Sequence, residues 1–217
     1  MPKRVDHAER RTEITEALIR VAGRRGLHAA GMREVAAEAG VSLRLVQYYF
    51  ETKEKLLLCG LQRLAERFGE RVAARVRAAG DAPGPRAVIE ALLHTALPTD
   101  EESRTFHLLY TSYAVLAVHD EALAAQPFIR NPDAAERTLT ELLGQAQELG
   151  LVASEVDASA EAVGLLAMSA GLGTGVLVGQ RSPESAAGVL DHHLNRIFRG
   201  RLVQDHGHRS PARRDQA

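Results

Sequence analysis

A chain of 217 residues that is 45% hydrophobic can bury a full core, in one large domain or two small ones. Its net charge of −1 hides an asymmetry: residues 1–55 hold eleven Lys and Arg against eight Asp and Glu, while the remainder is acidic. The single cysteine, Cys59, excludes an intramolecular disulfide framework and a cysteine-based zinc cluster.

Residues 1–7 read as a flexible basic arm. From about 8 to 25 the apolar residues Ile14, Ala17, Leu18, Val21 and Ala22 recur at three and four, which predicts an amphipathic helix ending at Gly26. Arg10 and Arg11 lie near its start, where they can reach a phosphate or simply face water. Met32, Val35, Ala36 and Ala39 then mark a short helix closed by Gly40, whose freedom to adopt a left-handed backbone suits a helix end. Ser42 is a good N-cap for a second short helix, Leu43 to Phe50, in which Arg44, Gln47 and Tyr48 occupy one polar surface. Glu51 and Thr52 interrupt it, and Thr52 can cap a new helix. Two short helices joined so closely form a helix-turn-helix, whose second helix can enter a DNA major groove.

The run Met32-Arg33-Glu34-Val35-Ala36, then Ala39-Gly40-Val41-Ser42, Tyr48-Tyr49-Phe50 and Thr52-Lys53-Glu54-x-Leu56-Leu57, closely resembles the TetR family of bacterial transcriptional regulators. The resemblance covers about residues 10–57. Gly31 departs from it, standing where the family usually has Thr or Ser, and Gln47 stands where a tyrosine is frequent. The resemblance implies DNA contacts by Met32, Arg33, Ser42, Leu43, Arg44, Gln47, Tyr48, Tyr49, Thr52 and Lys53. Arg44 can pair with guanine and Gln47 with adenine, while Tyr49, Thr52, Lys53, Met32 and Arg33 go mainly to the backbone.

Beyond the head, residues 53–79 read as one long helix with Leu56, Leu57, Leu61, Leu64, Phe68, Val72, Ala73 and Val76 on its inner side. Gly80 and the Pro83-Gly84-Pro85 break end it. Helices are then predicted at 85–97, 101–119, 132–149, 157–180 and 183–198, with an irregular stretch at 120–131. Aromatics make up 4% and alternating β-branched runs are scarce, so the fold class is all-α. The expected organisation is a three-helix DNA-binding head at 1–55, a helical-bundle domain for ligand binding and dimerisation at 56–199, and a disordered tail at 200–217.

Phe106, Tyr110 and Tyr113 crowd one helix beside His107. With Phe68, Phe128 and Met168 they are the candidate lining of a small-molecule pocket, for an apolar or aromatic effector; an ordinary core is the other reading. Small residues including Gly164, Ala167, Gly171, Gly175 and Gly179 form a ridge on the penultimate helix. It resembles the family's dimer interface, with Gly171, Gly175, Val189, Leu190, Leu194 and Ile197 as the candidate contacts; internal packing is the alternative.

Other patterns carry less. Gly171-Leu172-Gly173-Thr174-Gly175 has its third glycine misplaced for a dinucleotide loop, and no strand precedes it. His94, His107 and His119 lack matching carboxylates or cysteines for a metal, and no catalytic triad order stands out. No cofactor, metal or enzymatic activity is therefore expected. The N-terminus shows no signal peptide, and residues 162–179 are interrupted by five glycines, so a soluble, cytoplasmic protein without membrane contact is expected. The expected function is a ligand-responsive regulator: a homodimer on a near-palindromic double-stranded DNA operator, released by a small-molecule effector. A repressor is the first reading and an activator of the same fold the second. A helical-bundle enzyme is the weakest.

Overall fold

The computed structural model describes residues 7–125 and 132–198. Among them lie ten α-helices, one 3-10 turn at Leu27–Ala29 and no strand. The arm at 1–6, Phe128 and the tail at 200–217 fall outside the described residues.

Helix α1 spans His7–Arg25, so His7 belongs to the helix rather than to the arm. Ile14, Ala17, Leu18, Val21 and Ala22 are all buried, as their spacing requires. Gly26 ends it with φ 81°, a conformation that a side chain would strain. Helix α2 (Met32–Glu38) and helix α3 (Leu43–Phe50) follow, separated by Gly40 at φ 66°. The Ser42 hydroxyl accepts from the Leu45 amide at 3.2 Å, satisfying one of the free donors at the start of α3. Glu51, at φ 58°, makes the sharp exit from α3, and Thr52 caps α4 (Lys53–Ala78) by accepting from the Lys55 amide at 3.3 Å.

Helix α5 runs Pro85–Ala96 and α6 Glu101–Ala117. Asp100 and Ser103 form a reciprocal capping box at the start of α6. The stretch read as irregular holds a short helix, α7 (Glu121–Ala124), because Asp120 accepts from the Ala122 and Leu123 amides. Helices α8 (Pro132–Glu148), α9 (Ala158–Leu177) and α10 (Pro183–Phe198) complete the chain. The Gly171–Gly175 stretch is plain helix inside α9, which disposes of the loop reading.

Two cores hold these helices together. The first joins α1, α2, α3 and the first half of α4 to Leu109 and Tyr113 of α6 and Leu123 of α7. The second is built from α5, α8, α9 and α10. The expected boundary after residue 55 thus falls inside the first turn of α4, and the head's core continues across it through Leu56, Leu57, Leu61 and Leu64. Each such fully buried side chain contributes about 1.5–3 kcal/mol. Burial along α4 stops after Leu64; Phe68, Val72, Ala73 and Val76 are only half-buried.

Helix α9 is long and apolar enough to cross a membrane by composition, with a mean hydropathy of 1.5. Its buried side, Ala162, Leu165, Leu172 and Val176, instead seals the second core, and much of its exposed side is Gly and Ala.

Candidate nucleic-acid interface and body cleft

The capped start of α3 and the turn at Glu51 position its exposed face. Val46 and Phe50 are buried beneath, which turns Arg44, Gln47 and Tyr48 outward; Tyr48 is 68% exposed. Tyr49 is half-buried and packs edge-on against Tyr48, with ring centroids 5.3 Å apart. Ser42 and Thr52 spend their hydroxyls on helix caps. Lys53 sits at the first position of α4 and Arg33 at the second of α2, where the positive ends of the helices add to their charge. Met32 opens α2 with its side chain packed against the head core, and Leu43 is half-buried.

Arg11 stays exposed but is not without partners: its Nη2 donates to Cys59 Sγ at 3.0 Å and its guanidinium lies 5.5 Å from the Phe50 ring centroid, so it links α1 to α3 and α4. Arg10 pairs with Glu13. Arg20 and Arg24 of α1 both bind Glu38, the last residue of α2, and hold its carboxyl below the usual range, the Arg20 hydrogen bond being the main cause. Sequence periodicity gives no sign of this pairing, because the partners lie on different helices.

In the body, the structure divides the expected pocket residues. Phe68, Phe106 and Tyr110 form a stacked row, with centroids 4.7 and 6.1 Å apart. Tyr113 belongs to the first core and is a correction to the expected lining. It is 1% exposed, its hydroxyl donates to the Leu57 carbonyl at 2.8 Å, and burial holds its phenol well above the ordinary value. Gly60 makes room for this contact, since a Cβ there would stand 2.9 Å from the Tyr113 hydroxyl and 2.6 Å from Leu18. His107 is likewise buried and partnered: Nδ1 donates to the Ala96 carbonyl at 3.3 Å and Nε2 faces the Thr174 hydroxyl at 3.4 Å. Burial pushes its pKa down, leaving a neutral ring seated on Gly173. Met168 packs against the second core.

A cleft of about 540 Å³ opens between α1, α4 and α6, and a more polar one of about 700 Å³ lies between the end of α4, α5 and α10. Of the expected residues the first includes only Phe68 and Phe106. Ile19 and Leu64 join them as apolar walls, and Arg20, Arg24, Arg67, Arg71, Glu101 and Glu102 stand on the polar sides. Arg67 and Arg71 bridge to Glu16, Asp100 and Glu102, tying α4 to α1 and to the start of α6. Asp100 is thereby held far below the ordinary carboxylate range, first by the Arg71 hydrogen bond.

The candidate dimer residues also separate. Leu190, Leu194 and Ile197 are buried in the chain's own second core, so they support the outer surface from beneath instead of forming it. Gly175 is covered by Arg181, whereas Gly171 has nothing within 4 Å of a built Cβ. The exposed face of α9 includes Val163, Gly164, Ala167, Ala170, Gly171 and Thr174, with Val178 just past its end and Val189 of α10 also exposed. His94 and His193 meet Asp191 and Glu161, and among the described residues no group of three His, Cys, Asp or Glu could hold a metal.

An all-α chain with an exposed, capped second helix in a helix-turn-helix has the architecture of a DNA-binding regulator. Residues 14–58 match the model of bacterial regulatory proteins of the tetR family, and residues 85–199 match that of the BetI-type transcriptional repressor C-terminal domain. The chain belongs to the TetR family of transcriptional regulators. It is 30% identical over 172 residues to the HTH-type transcriptional regulator PksA of Bacillus subtilis, covering 79% of this chain and 80% of that one. It is 34% identical over 101 residues to BetI of Rhizobium meliloti, covering 46% of this chain and about half (48%) of BetI. Among solved structures, a putative TetR-family regulator from Rhodococcus sp. superposes with TM-score 0.73 at 26% identity, covering 88% of this chain and 99% of that one. A putative regulator from Saccharomonospora viridis, solved in complex with choline, gives TM-score 0.71 at 24% identity, covering 89% and 97%.

Proposed function

We propose that this protein is a ligand-responsive, cytoplasmic repressor that binds a near-palindromic operator as a homodimer and is released by a small apolar or aromatic effector. The observation that carries DNA reading is the outward face of α3, where Arg44, Gln47 and Tyr48 are all exposed. Arg44 would take guanine and Gln47 adenine, with Arg33, Tyr49 and Lys53 on phosphates. Met32, Leu43, Ser42 and Thr52 would act by shaping and capping the helices that bring these groups to the duplex.

Dimerisation through α9 and α10 would bury the small-residue face of α9, which lets two helices approach closely. The aromatic row and the cleft beside it support an effector with an apolar body. Footprinting on the DNA upstream of the protein's own gene tests the reading: a protected near-palindrome, lost when the effector is added, is the expected result. Activation of transcription from a site beside the promoter would favour the activator instead.

A further inference from the structure

We propose that the cleft between α1, α4 and α6 binds a small amphipathic carboxylate, whose carboxylate group draws Arg20 and Arg24 away from Glu38. The proposal rests on the effector-responsive reading and gives that effector a place and a chemistry.

The floor of the cleft is apolar. Phe68 and Phe106, stacked 4.7 Å apart and both half-buried, offer a flat surface beside Ile19 and Leu64. The α1 wall is where cations outnumber anions. Arg20 Nε donates to Glu38 Oε1 at 2.8 Å and Arg24 Nη2 to Glu38 Oε2, so two guanidiniums share one carboxylate. Both arginines line the cleft and Glu38 does not. A guanidinium carries five N–H donors, and these two spend one each on Glu38, which leaves donors for a second carboxylate. On the other walls Arg67 and Arg71 are matched by Glu16, Asp100 and Glu102. An amine would meet like charge at α1.

Glu38 ends α2, the first helix of the helix-turn-helix, so its two ion pairs tie that helix to α1. A ligand carboxylate that competes for the same guanidiniums loosens this tie, while the ligand's apolar body lies between α1 and α6. Occupancy therefore reaches the DNA-binding head directly, without passing through the length of α4.

Calorimetric titration of the full chain, without DNA, with 4-phenylbutyrate, 4-phenylbutanol and 4-phenylbutylamine tests the site. The carboxylate should bind about fivefold tighter than the alcohol, the worth of one partly screened ion pair, and the amine weakest. Arg24→Gln should reduce that preference, since Arg20 alone remains, with a smaller effect on the alcohol; its side chain is 62% exposed, and the variant's melting curve checks its folding. Glu38→Gln removes the competitor and should tighten the carboxylate by about threefold while weakening DNA binding. Phe106→Ala should weaken all three probes. Tighter binding of the amine, an unchanged preference in Arg24→Gln, no gain in Glu38→Gln, or no binding of any probe at millimolar concentration overturns the proposal. Fluorescence anisotropy with the upstream DNA separates the two levels. A protein that binds the probe but not that DNA refutes the proposed operator alone, and one that binds both yet keeps its DNA refutes the exchange at Glu38.

Discussion

The imidazole Nδ1 of His7 and the hydroxyl of Tyr49 lie 3.1 Å apart, with their rings 5.8 Å centre to centre. The first residue of α1 is thereby joined to the recognition helix, and through the edge-on contact of Tyr49 with Tyr48 to its exposed face. An exposed hydrogen bond of this kind contributes about 0.5–1.5 kcal/mol. His7→Ala should therefore lower stability by about 0.5–1.5 kcal/mol and, by freeing Tyr49, also weaken binding of operator DNA. Anisotropy titration beside a melting curve checks both.

Gln47 and Lys53 should separate base reading from phosphate binding. Lys53→Ala should weaken binding to every sequence and reduce the salt slope by about one unit. Gln47→Ala should cost about 1–3 kcal/mol on the preferred site and relax base choice at one position. Titrations of specific and random duplexes at several salt concentrations measure the two patterns, and equal losses on both duplexes for both variants would refute the assignment.

Gly171 tests the dimer face with little risk to the fold. Space around its built Cβ is open within one chain, so Gly171→Leu should leave the isolated subunit folded and shift the protein toward monomer. Sedimentation velocity at micromolar concentration reads this directly. Gly173→Ala should behave in the opposite way: its Cβ would run into the His107 ring, and overpacking of this kind costs about 1–3 kcal/mol of stability without reaching the outer face.

Tyr113→Phe should cost about 1 kcal/mol of stability by removing the hydrogen bond to Leu57, and leave the response to effector unchanged. A changed response at normal stability would return Tyr113 to the pocket.

His107 should make stability depend on pH. Burial depresses its folded pKa, so the unfolded chain binds the proton first as pH falls. Its contribution is fully present above the unfolded value near 6.5 and is lost as pH falls through that value toward the folded one. Urea melts at about pH 7.5 and 5.5 should show this loss in the wild type and a flatter profile in His107→Gln.

Much of this architecture was legible before any tertiary contact was known. Ser42 and Thr52 cap where their hydroxyls predicted, and Gly26 and Gly40 close helices where only a positive φ is needed. These are local effects, decided within four residues by hydrogen bonding and backbone sterics, as is the period of three and four that buries one side of α1. The short helix α7 was missed because a single Asp cap carries it, with no periodic stripe long enough to read.

Which face of a helix meets what was decided by tertiary structure. Phe106, Tyr110 and Tyr113 share one stripe of α6, yet Tyr113 is core because Gly60 of α4 lets the helices close over it, while Phe106 opens to the cleft. Leu190, Leu194 and Ile197 read equally well as an outer or an inner face until α5, α8 and α9 cover them. The cleft and the Arg20–Arg24–Glu38 clamp join residues on separate helices, and periodicity along one helix carries no information about its partner. The amino-acid sequence by itself determined the helices, their ends and the helix-turn-helix, because those follow from short-range steric and hydrogen-bonding preferences. Only the packing of α1, α4 and α6 decided where the aromatic-floored cleft lies, because a cavity is what remains where side chains from distant segments fail to fill the space between them.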